Sequence, residues 1–430
     1  MVISWRAMIL AIIGLFPILL FPRWSTLGLC VLGLIVVLCA DALTAVSPRR
    51  VSFSRSAQGS IRLGETTTVQ LVVTNQSSRT LRGSVRDGWQ PTAQADSPEQ
   101  PVTIPGQESR RLSMHLTPTR RGTLRSRIVT VRSWGWLGLA GKQYTHRAEG
   151  AITVIPPFNS RRHLPSKLVS LREMAGRSAV LTRGAGHEFD SLREYVRGDD
   201  VRDIDWRATA RAQELVVRTW RPERDRRVLI LIDTSRTSAV RSEDGTRLDT
   251  GIEAALLLAA LADAGGDRVE VIALDQKVQA RASSTRRGKL LHQIVTALTD
   301  VFPRLVAADF TQVSSLISQT VKQRALVVLI TALDTAAIQQ GLLPVLPTIA
   351  RKHQVVLASV TDPELEAMAA EREDLETVFQ AASAEQDEHR RAGLIAQLRR
   401  FGAEVVEADP QDLPPRLADT YLHLKAAGRL

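Results

Sequence analysis

The chain has 430 residues and a formal net charge of +11. That length is enough for two or three domains with substantial cores. A basic balance of this size often indicates a nucleic-acid partner. Here, however, the basic residues are interleaved with Asp and Glu through the middle of the chain, and the sequence has no zinc-finger, RNP or P-loop pattern. We therefore expect solvated surface charge and ion pairs, and no nucleic-acid binding.

Two apolar runs open the chain, Val2 to Phe21 and Leu27 to Val46. Each reaches the roughly 20 residues that a bilayer-spanning helix requires if flanking side chains snorkel to the interface. The tight link at Pro22 to Ser25 predicts a transmembrane helical hairpin over residues 1–48. A cleaved signal peptide is the alternative, because Ala40-Asp41-Ala42 imitates a cleavage site, but two consecutive apolar runs fit that interpretation poorly.

The positive charges around these runs predict the topology. Arg6 lies near the start of the first run, and only Arg23 lies in the link, whereas Arg49, Arg50 and Arg55 follow the second run. By the positive-inside rule both ends of the hairpin face the cytoplasm. We therefore expect an inner (plasma) membrane protein with two transmembrane helices and cytoplasmic soluble domains.

From residue 51 to residue 157 the pattern changes to short alternating stretches such as Thr67 to Thr74, separated by turn residues. This spacing is typical of an antiparallel sandwich and predicts a β-sandwich-like domain. The stretch Ser133 to Leu139 contains Trp134 and Trp136. These tryptophans either form a contact loop or, as we prefer, close a small core.

Residues 228–430 alternate apolar strands with amphipathic helices. Val228 to Ile232, Ala325 to Ile330 and Gln354 to Val360 read as buried strands. This alternation predicts a doubly wound α/β domain with a parallel sheet. The predicted helices are Arg247–Ala264, Lys289–Thr299, Phe310–Val321, Ala337–Arg351, Ala392–Phe401 and one starting at Leu413.

The first buried strand of that domain runs into Asp233-x-Ser235-x-Thr237. Parallel strands release their C-terminal residues into the crevice where such sheets bind ligands, so one carboxylate and two hydroxyl groups are expected to converge there. Oxygen ligands suit Mg²⁺ or Mn²⁺. The alternative is turn chemistry, in which these side chains bind backbone groups.

Residues 158–227 are interpreted as a linker and a signature segment. The signature, Gly186 to Trp206, reads G-x-E-F-D-S-L-R-E-Y-x-x-G-D-D-x-R-x-I-D-W. Its carboxylates could hold metal ions for hydrolysis. Pairing with the interleaved arginines is the simpler explanation. The acids in question are Asp199, Asp200, Asp203 and Asp205.

This signature, followed by the Asp-x-Ser loop, resembles the bacterial domain-of-unknown-function family fifty-eight, and the resemblance extends over nearly the whole chain. It implies a von Willebrand factor A-like domain carrying a metal ion-dependent adhesion site. It also implies a membrane-anchored partner of a MoxR-type AAA+ ATPase that acts with an unknown client protein in the assembly or remodelling of protein complexes. It implies no chemical role for the signature segment.

The A-domain pattern adds a threonine from a middle loop and an aspartate after a later strand. Thr311 is the better candidate for the threonine and Thr285 the weaker one. The expected aspartate position holds Ala332, so Asp334 is the remaining candidate. Fewer carboxylates weaken the affinity for hard ions, which leaves open a scaffold whose ion site has decayed.

Three common enzymatic motifs are missing from the sequence. It has no P-loop, no His-Glu-x-x-His and no Gly-x-Ser-x-Gly. We therefore expect an adaptor rather than an enzyme, with a metal-dependent hydrolase built on the signature acids as the alternative.

Overall fold

A computed structural model describes residues 1–56, 59–181, 188–196, 199–221, 226–242, 245–283, 288–361, 368, 370, 372 and 374–430. The chain forms two compact units, Met1–Pro157 and Phe158–Leu430. Four signature residues and one candidate ligand lie outside the described residues: Gly186, His187, Arg197, Gly198 and Thr285.

Two apolar helices begin the first unit, α1 (Trp5–Leu20) and α2 (Trp24–Thr44). Among the described residues, one helix is long and apolar enough to cross a membrane: the helix that starts at Trp24, with a mean hydropathy of 2.6. Helix α1 has 16 residues. At 1.5 Å per residue it is about 24 Å long, which is shorter than the roughly 30 Å of a hydrocarbon core.

The rest of this unit consists of two β-sheets that share buried side chains. One sheet has the order β1-β9-β8-β5-β6 with β3 also paired to β9, and the other has the order β2-β4-β7. Leu81 and Val131 of the first sheet pack with Val73 and Leu112 of the second. The strands are β1 (Val2–Ile3), β2 (Val51–Arg55), β3 (Ser60–Arg62), β4 (Thr67–Asn75), β5 (Leu81–Trp89), β6 (Glu99–Ile104), β7 (Ser109–Leu116), β8 (Gly122–Trp134) and β9 (Ala140–Ile155).

A buried ion pair links the two sheets. The Arg55 guanidinium donates to both carboxylate oxygens of Asp87 at 2.7 Å and lies over the Trp89 ring. Both side chains are almost fully buried. Arg55, which the sequence analysis counted among the charges that follow the second apolar run, is thus paired with Asp87 inside the β-sheet core.

The second unit begins with helix α3 (Leu164–Leu181), strand β10 (Glu188–Glu194), helix α4 (Trp206–Ala212) and strand β11 (Val216–Arg221). Strands β10 and β11 form a two-stranded antiparallel sheet. Leu171 of α3 is buried in the core of this unit. The interpretation of residues 158–227 as a linker was therefore too simple, since much of the segment is folded.

A six-stranded sheet forms the centre of the second unit, in the order β16-β15-β12-β17-β18-β19. Its strands pair in parallel except β16, which pairs antiparallel with β15 at one edge. The sequence analysis did not predict this edge strand. The strands of this unit are β12 (Arg227–Asp233), β13 (Arg241–Ser242), β14 (Gly245–Thr246), β15 (Arg268–Leu274), β16 (Val278–Ser283), β17 (Leu326–Ile330), β18 (Gln354–Val360) and β19 (Ala403–Ala408).

Helices cover both faces of this sheet. Ile230 packs on one face with Leu256 and Tyr421, and Leu231 packs on the other face with Ile317 and Leu398. Alternate residues of β12 thus enter different cores, which explains its uninterrupted apolar sequence. The helices are α5 (Arg247–Ala264), α6 (Leu290–Leu298), α7 (Thr311–Thr320), α8 (Thr335–Ala337), α9 (Leu346–Lys352), α10 (Leu375–Arg400) and α11 (Leu413–Ala426).

Two helix predictions differ from the structure. The predicted helix Ala337–Arg351 is broken into α8, a π-helical turn at Ile338–Leu342 and α9. Pro344 and Pro347 explain the break, since proline donates no backbone hydrogen bond. Helix α10 starts well before the predicted Ala392, with a capping box between Asp374 and Thr377.

Candidate functional site

The candidate site lies at the C-terminal edge of the central sheet. Strand β12 ends at Asp233, which pairs with Leu274 of β15, and β17 on its other side ends at Ile330. Thr331 follows β17 directly, so it comes from the neighbouring strand to the same edge. The register of the parallel sheet thus places Asp233 and Thr331 together although they are distant in sequence.

The Asp233 cluster, which we define as Asp233, Ser235, Thr237 and Thr331, brings one carboxylate and three hydroxyl groups together. Asp233 Oδ2 accepts from Thr331 Oγ1 at 2.7 Å and from Thr237 Oγ1 at 3.4 Å. The Ser235 and Thr237 hydroxyl oxygens are 3.1 Å apart. The other oxygen, Oδ1, accepts from the Ser235 backbone N–H at 2.8 Å. The three residues predicted from the sequence therefore converge.

The sequence analysis missed the role of Thr331. Its hydroxyl group is buried and makes the shortest side-chain contact to Asp233. The available signal was its position immediately after a continuous apolar strand, which in a parallel sheet places a residue at the ligand-binding edge. What the sequence alone did not provide was the strand order that makes β17 a neighbour of β12.

The two more distant candidates differ in their placement. The Thr311 hydroxyl donates to Asp309 Oδ1 at 2.5 Å beside the start of α7. Asp334 caps α8 by accepting from the Ala337 backbone N–H at 2.9 Å. Its side chain lines the same small cleft as Ser235 and Thr237. The structure thus brings Asp334 beside the Asp233 cluster, while Thr311 is occupied elsewhere.

A second buried carboxylate follows the adjacent strand β15. Asp275 accepts from the Lys277 backbone N–H and from Gln279 Nε2, each at 3.0 Å, and Arg304 lies 3.4 Å away. Burial raises the pKa of Asp275, but the Lys277 and Gln279 hydrogen bonds outweigh it and hold the pKa below its usual value. The ionised Asp275 carboxylate thereby holds Arg304, which lies in the loop between α6 and α7, beside the site.

Backbone hydrogen bonds also hold the loop between α6 and α7 against the Asp233 turn. The Arg304 N–H donates to the Thr234 carbonyl oxygen at 2.8 Å, and the Arg236 N–H donates to the Val306 carbonyl oxygen at 2.9 Å. The Asp233 turn is thereby fixed by both its neighbouring strands and an overlying loop, which preorganises its oxygen atoms.

Oxygen is the donor type that Mg²⁺ and Mn²⁺ prefer, so the Asp233 cluster fits a hard divalent ion by its chemistry. Within the described part of the chain, no three His, Cys, Asp or Glu side chains come close enough to hold a metal ion together. An ion at the Asp233 cluster would therefore depend on hydroxyl groups and water as well as on a carboxylate.

The signature acids have structural partners. Arg193 forms a two-bond pair with Asp199, at 2.6 and 2.7 Å, and this hydrogen bonding lowers the pKa of Asp199. Asp205 caps α4 through the Ala208 and Arg207 backbone N–H groups and pairs with Arg218 at 2.9 Å. These contacts lower the pKa of Asp205, and the hydrogen bond from the Ala208 backbone N–H is the largest cause.

The other two signature acids lie in the intervening 3₁₀ turn, Val201–Asp203. Asp200 caps that turn by accepting from the Arg202 backbone N–H at 3.0 Å, and Asp203 is its last residue. Asp199, Asp200 and Asp205 of the signature therefore serve as helix caps or ion-pair partners around β10, α4 and β11.

Comparison with known proteins places this region in a family. Residues 191–400 match the family model described as "Protein of unknown function DUF58". This part of the chain is a DUF58 family domain. It contains the Asp233 cluster, most of the signature and five of the six strands of the central sheet.

Three curated relatives are each 27% identical over 187 residues. They are uncharacterized proteins from Mycobacterium bovis and from two strains of Mycobacterium tuberculosis. The matched region covers 43% of this chain and 57% of each relative. The chain thus spans less than two thirds of the relatives that it matches.

Three solved structures each resemble the chain over about a quarter of its length. A Listeria innocua β-glucosidase matches with 14% identity and a TM-score of 0.16, covering 23% of this chain and 16% of its own. A CARDB domain from Pyrococcus furiosus, in complex with di-metal ions, matches with 14% identity and a TM-score of 0.16, covering 24% and 91%. A FixG-related protein from Vibrio parahaemolyticus matches with 13% identity and a TM-score of 0.15, covering 26% and 96%. TM-scores this low carry no functional argument.

Proposed function

We propose that the protein is a membrane-anchored protein-interaction (adaptor) module whose second unit is von Willebrand factor A-like and binds a divalent ion. It acts with a MoxR-type AAA+ ATPase in the assembly or remodelling of other protein complexes. The observation that carries this proposal is the convergence of Asp233, Ser235 and Thr237 at the C-terminal edge of the parallel sheet.

The residues of the cluster have distinct tasks in this proposal. Ser235 and Thr237 supply hydroxyl oxygens for the ion, and Asp233 supplies the negative charge. Thr331 orients the Asp233 carboxylate through its 2.7 Å hydrogen bond. Asp334 lines the same cleft as Ser235 and Thr237 and could supply a second carboxylate there. Because Mg²⁺ keeps several waters and binds few protein carboxylates, a partner's carboxylate would complete its coordination.

The ATPase and its client enter the proposal through the resemblance of the signature to the DUF58 family. The membrane anchor is supported by α2 and its hydropathy. We propose that α1 inserts beside α2 as a hairpin, since the two helices contact each other and three residues separate them.

The ion is tested by calorimetry on the full-length chain in detergent, titrated with Mg²⁺ or Mn²⁺. We expect saturable binding that Asp233→Asn abolishes, because the amide keeps the shape of the side chain but removes its charge. Asp387→Asn, which removes an exposed carboxylate from α10, is the matched control and should bind like the wild type. Equal binding by all three proteins would refute the site.

The partner is tested by co-purification of the full-length chain with a MoxR-type ATPase, with Mg²⁺ or with EDTA. Association that requires the ion and is lost in Asp233→Asn would support an ion-bridged adaptor. Association that persists in EDTA and in the variant would instead indicate a scaffold whose ion site has decayed. No association under either condition would refute the partner.

A further inference from the structure

The loop between β8 and β9 exposes a large aromatic side chain. Trp136 is 79% exposed and Leu137 is 49% exposed, whereas Trp134 is partly buried. A tryptophan that closed the β-sheet core would be buried, so the contact-loop interpretation applies to Trp136. Trp136 and Leu137 are adjacent and so form a small exposed apolar patch, and contiguous patches of this kind mark interaction surfaces.

The same loop is clamped to the end of α2 by Asp41. The Asp41 carboxylate is buried and accepts three backbone N–H groups, from Leu137 at 2.8 Å, Leu139 at 2.7 Å and Ala140 at 2.9 Å. Thr44 Oγ1 accepts a fourth, from Trp136 at 3.0 Å. The carboxylate that interrupts an otherwise apolar helix therefore anchors the loop. We call these four hydrogen bonds the Asp41 clamp.

Two further contacts tighten the clamp. A Cβ atom at Gly135 would lie 2.2 Å from the Asp41 carbonyl oxygen, so only glycine fits there. On the other side, Val2 and Ile3 of β1 pair with Gly141 and Ala140 of β9. The start of α1 and the end of α2 thus lie at one loop.

The position of this loop relative to α2 fits the edge of a bilayer. Trp24, which is 89% exposed, begins α2, and the 21-residue helix is about 30 Å long, the thickness of a hydrocarbon core. Trp136 lies beside the other end. Tryptophan concentrates at both membrane interfaces, with one aromatic belt at each end of a spanning helix.

Cationic side chains lie at the same level as the loop. The Arg6 guanidinium is adjacent to Gly138, and Lys142 Nζ donates to the Ala45 carbonyl oxygen at 2.9 Å. Basic groups at this depth attract the anionic headgroups of a cytoplasmic leaflet.

We propose that Trp136 and Leu137 are inserted into the headgroup region of the bilayer, and that the Asp41 clamp holds the β-sheet unit against the membrane surface. This inference rests on the proposed membrane anchor. It adds a second contact with lipid, made by a β-loop rather than by a helix.

The test uses the full-length chain with Cys30→Ala and Cys39→Ala, reconstituted into phosphatidylcholine and phosphatidylglycerol vesicles. An environment-sensitive fluorophore is attached at Trp136→Cys, and nitroxide-labelled lipids quench it from shallow or deep positions. The matched control is Thr119→Cys. Thr119 is exposed and precedes β8, whereas Trp136 follows that 13-residue strand, about 40 Å away.

We expect quenching at position 136, stronger by shallow than by deep nitroxides, and none at position 119. Equal quenching at both positions would overturn the proposal, and so would a shielded label at position 136 that lipids do not quench, because that label would be covered by protein. Alkaline extraction of the vesicles is a separate readout. A chain that alkali removes would refute the membrane anchor itself rather than the loop contact.

The clamp is tested with Asp41→Leu, which leaves α2 apolar but removes the acceptor for three N–H groups. We expect this variant to resist alkaline extraction like its parent while losing at least half of the quenching at position 136. Unchanged quenching would show that Asp41 does not position the loop.

Discussion

At the scale of single residues, the hydrogen-bond donors around a buried carboxylate determine how it is oriented. Asp233 accepts from a backbone N–H on one oxygen and from hydroxyl groups on the other. The next residue contrasts with it, because the Thr234 hydroxyl is buried without a hydrogen-bond partner among the described residues. Thr234 and Thr331 lie at the ends of neighbouring strands, and we expect their hydroxyl groups to affect stability in opposite directions.

This contrast gives a prediction for Thr331→Val, which removes a hydroxyl group without changing the side-chain shape. We expect a loss of about 1–3 kcal/mol in the free energy of unfolding, because a buried carboxylate loses a donor. Thr234→Val is the matched control and should be neutral or stabilising, since it removes a hydroxyl group that has no partner. Urea denaturation of both variants measures the difference, and equal losses would contradict the prediction.

His353 gives a prediction for pH. It is buried at the end of α9, and burial, followed by the charge of Lys352, lowers the pKa of its imidazole. The folded state therefore favours neutral histidine. This contribution to stability is fully present above pH 6.5, roughly the pKa of an unfolded histidine, and is lost as the pH falls toward the lower folded value.

We expect His353→Gln to flatten the decline in the free energy of unfolding below about pH 6.5. The control His389→Gln replaces an exposed histidine on α10 and should decline like the wild type. Chemical denaturation at a series of pH values tests both variants. An unchanged slope for His353→Gln would show that another group titrates.

At the scale of helices and strands, long apolar patterns were the predictable part of the fold. Strand β18 and helix α5 have the predicted bounds because their residues are buried along their whole length or nearly so. Strand β16 was missed because most of its side chains are exposed. The bounds predicted for α10 were too short because most side chains in its first half are exposed, so that apolar periodicity does not mark its start. A capping box marks that start instead.

In the candidate site, too, only the part that is local in the sequence was predictable. Asp233, Ser235 and Thr237 were predictable because their spacing is local in the chain. Thr331 was not, because its contact with Asp233 depends on which strand lies beside β12, and periodicity carries no information on strand order.

The buried Arg55 and Asp87 pair gives a prediction at this scale, since it joins β2 of one sheet to β5 of the other. Asp87→Asn leaves the guanidinium buried without its counter-charge, so we expect a loss of about 3–5 kcal/mol. The control is Glu99→Gln in the half-exposed pair with Arg132, for which about 0–1 kcal/mol is expected. Thermal unfolding of both variants would decide, and similar costs would contradict the prediction.

At the scale of the whole molecule, the boundary of the second unit determines which fragment folds. A fragment starting at residue 228 lacks α3, whose Leu171 lies in the same buried cluster as Leu256 of α5. We expect residues 158–430 to be soluble and to unfold cooperatively, and residues 228–430 to aggregate or to melt at a lower temperature. Expression and calorimetry of the two fragments test this, and equal melting temperatures would show that α3 is dispensable.

The length of strand β9 limits how far apart its two ends can lie. It begins at Ala140 in the Asp41 clamp and ends at Ile155, immediately before Pro156 and Pro157 at the end of the first unit. Sixteen residues of extended chain span about 50 Å. The strand therefore sets the largest distance that can separate the Asp41 clamp from the residue at which the first unit ends. Shortening or lengthening β8 and β9 together by pairs of residues would change that reach while keeping every side chain on its own face.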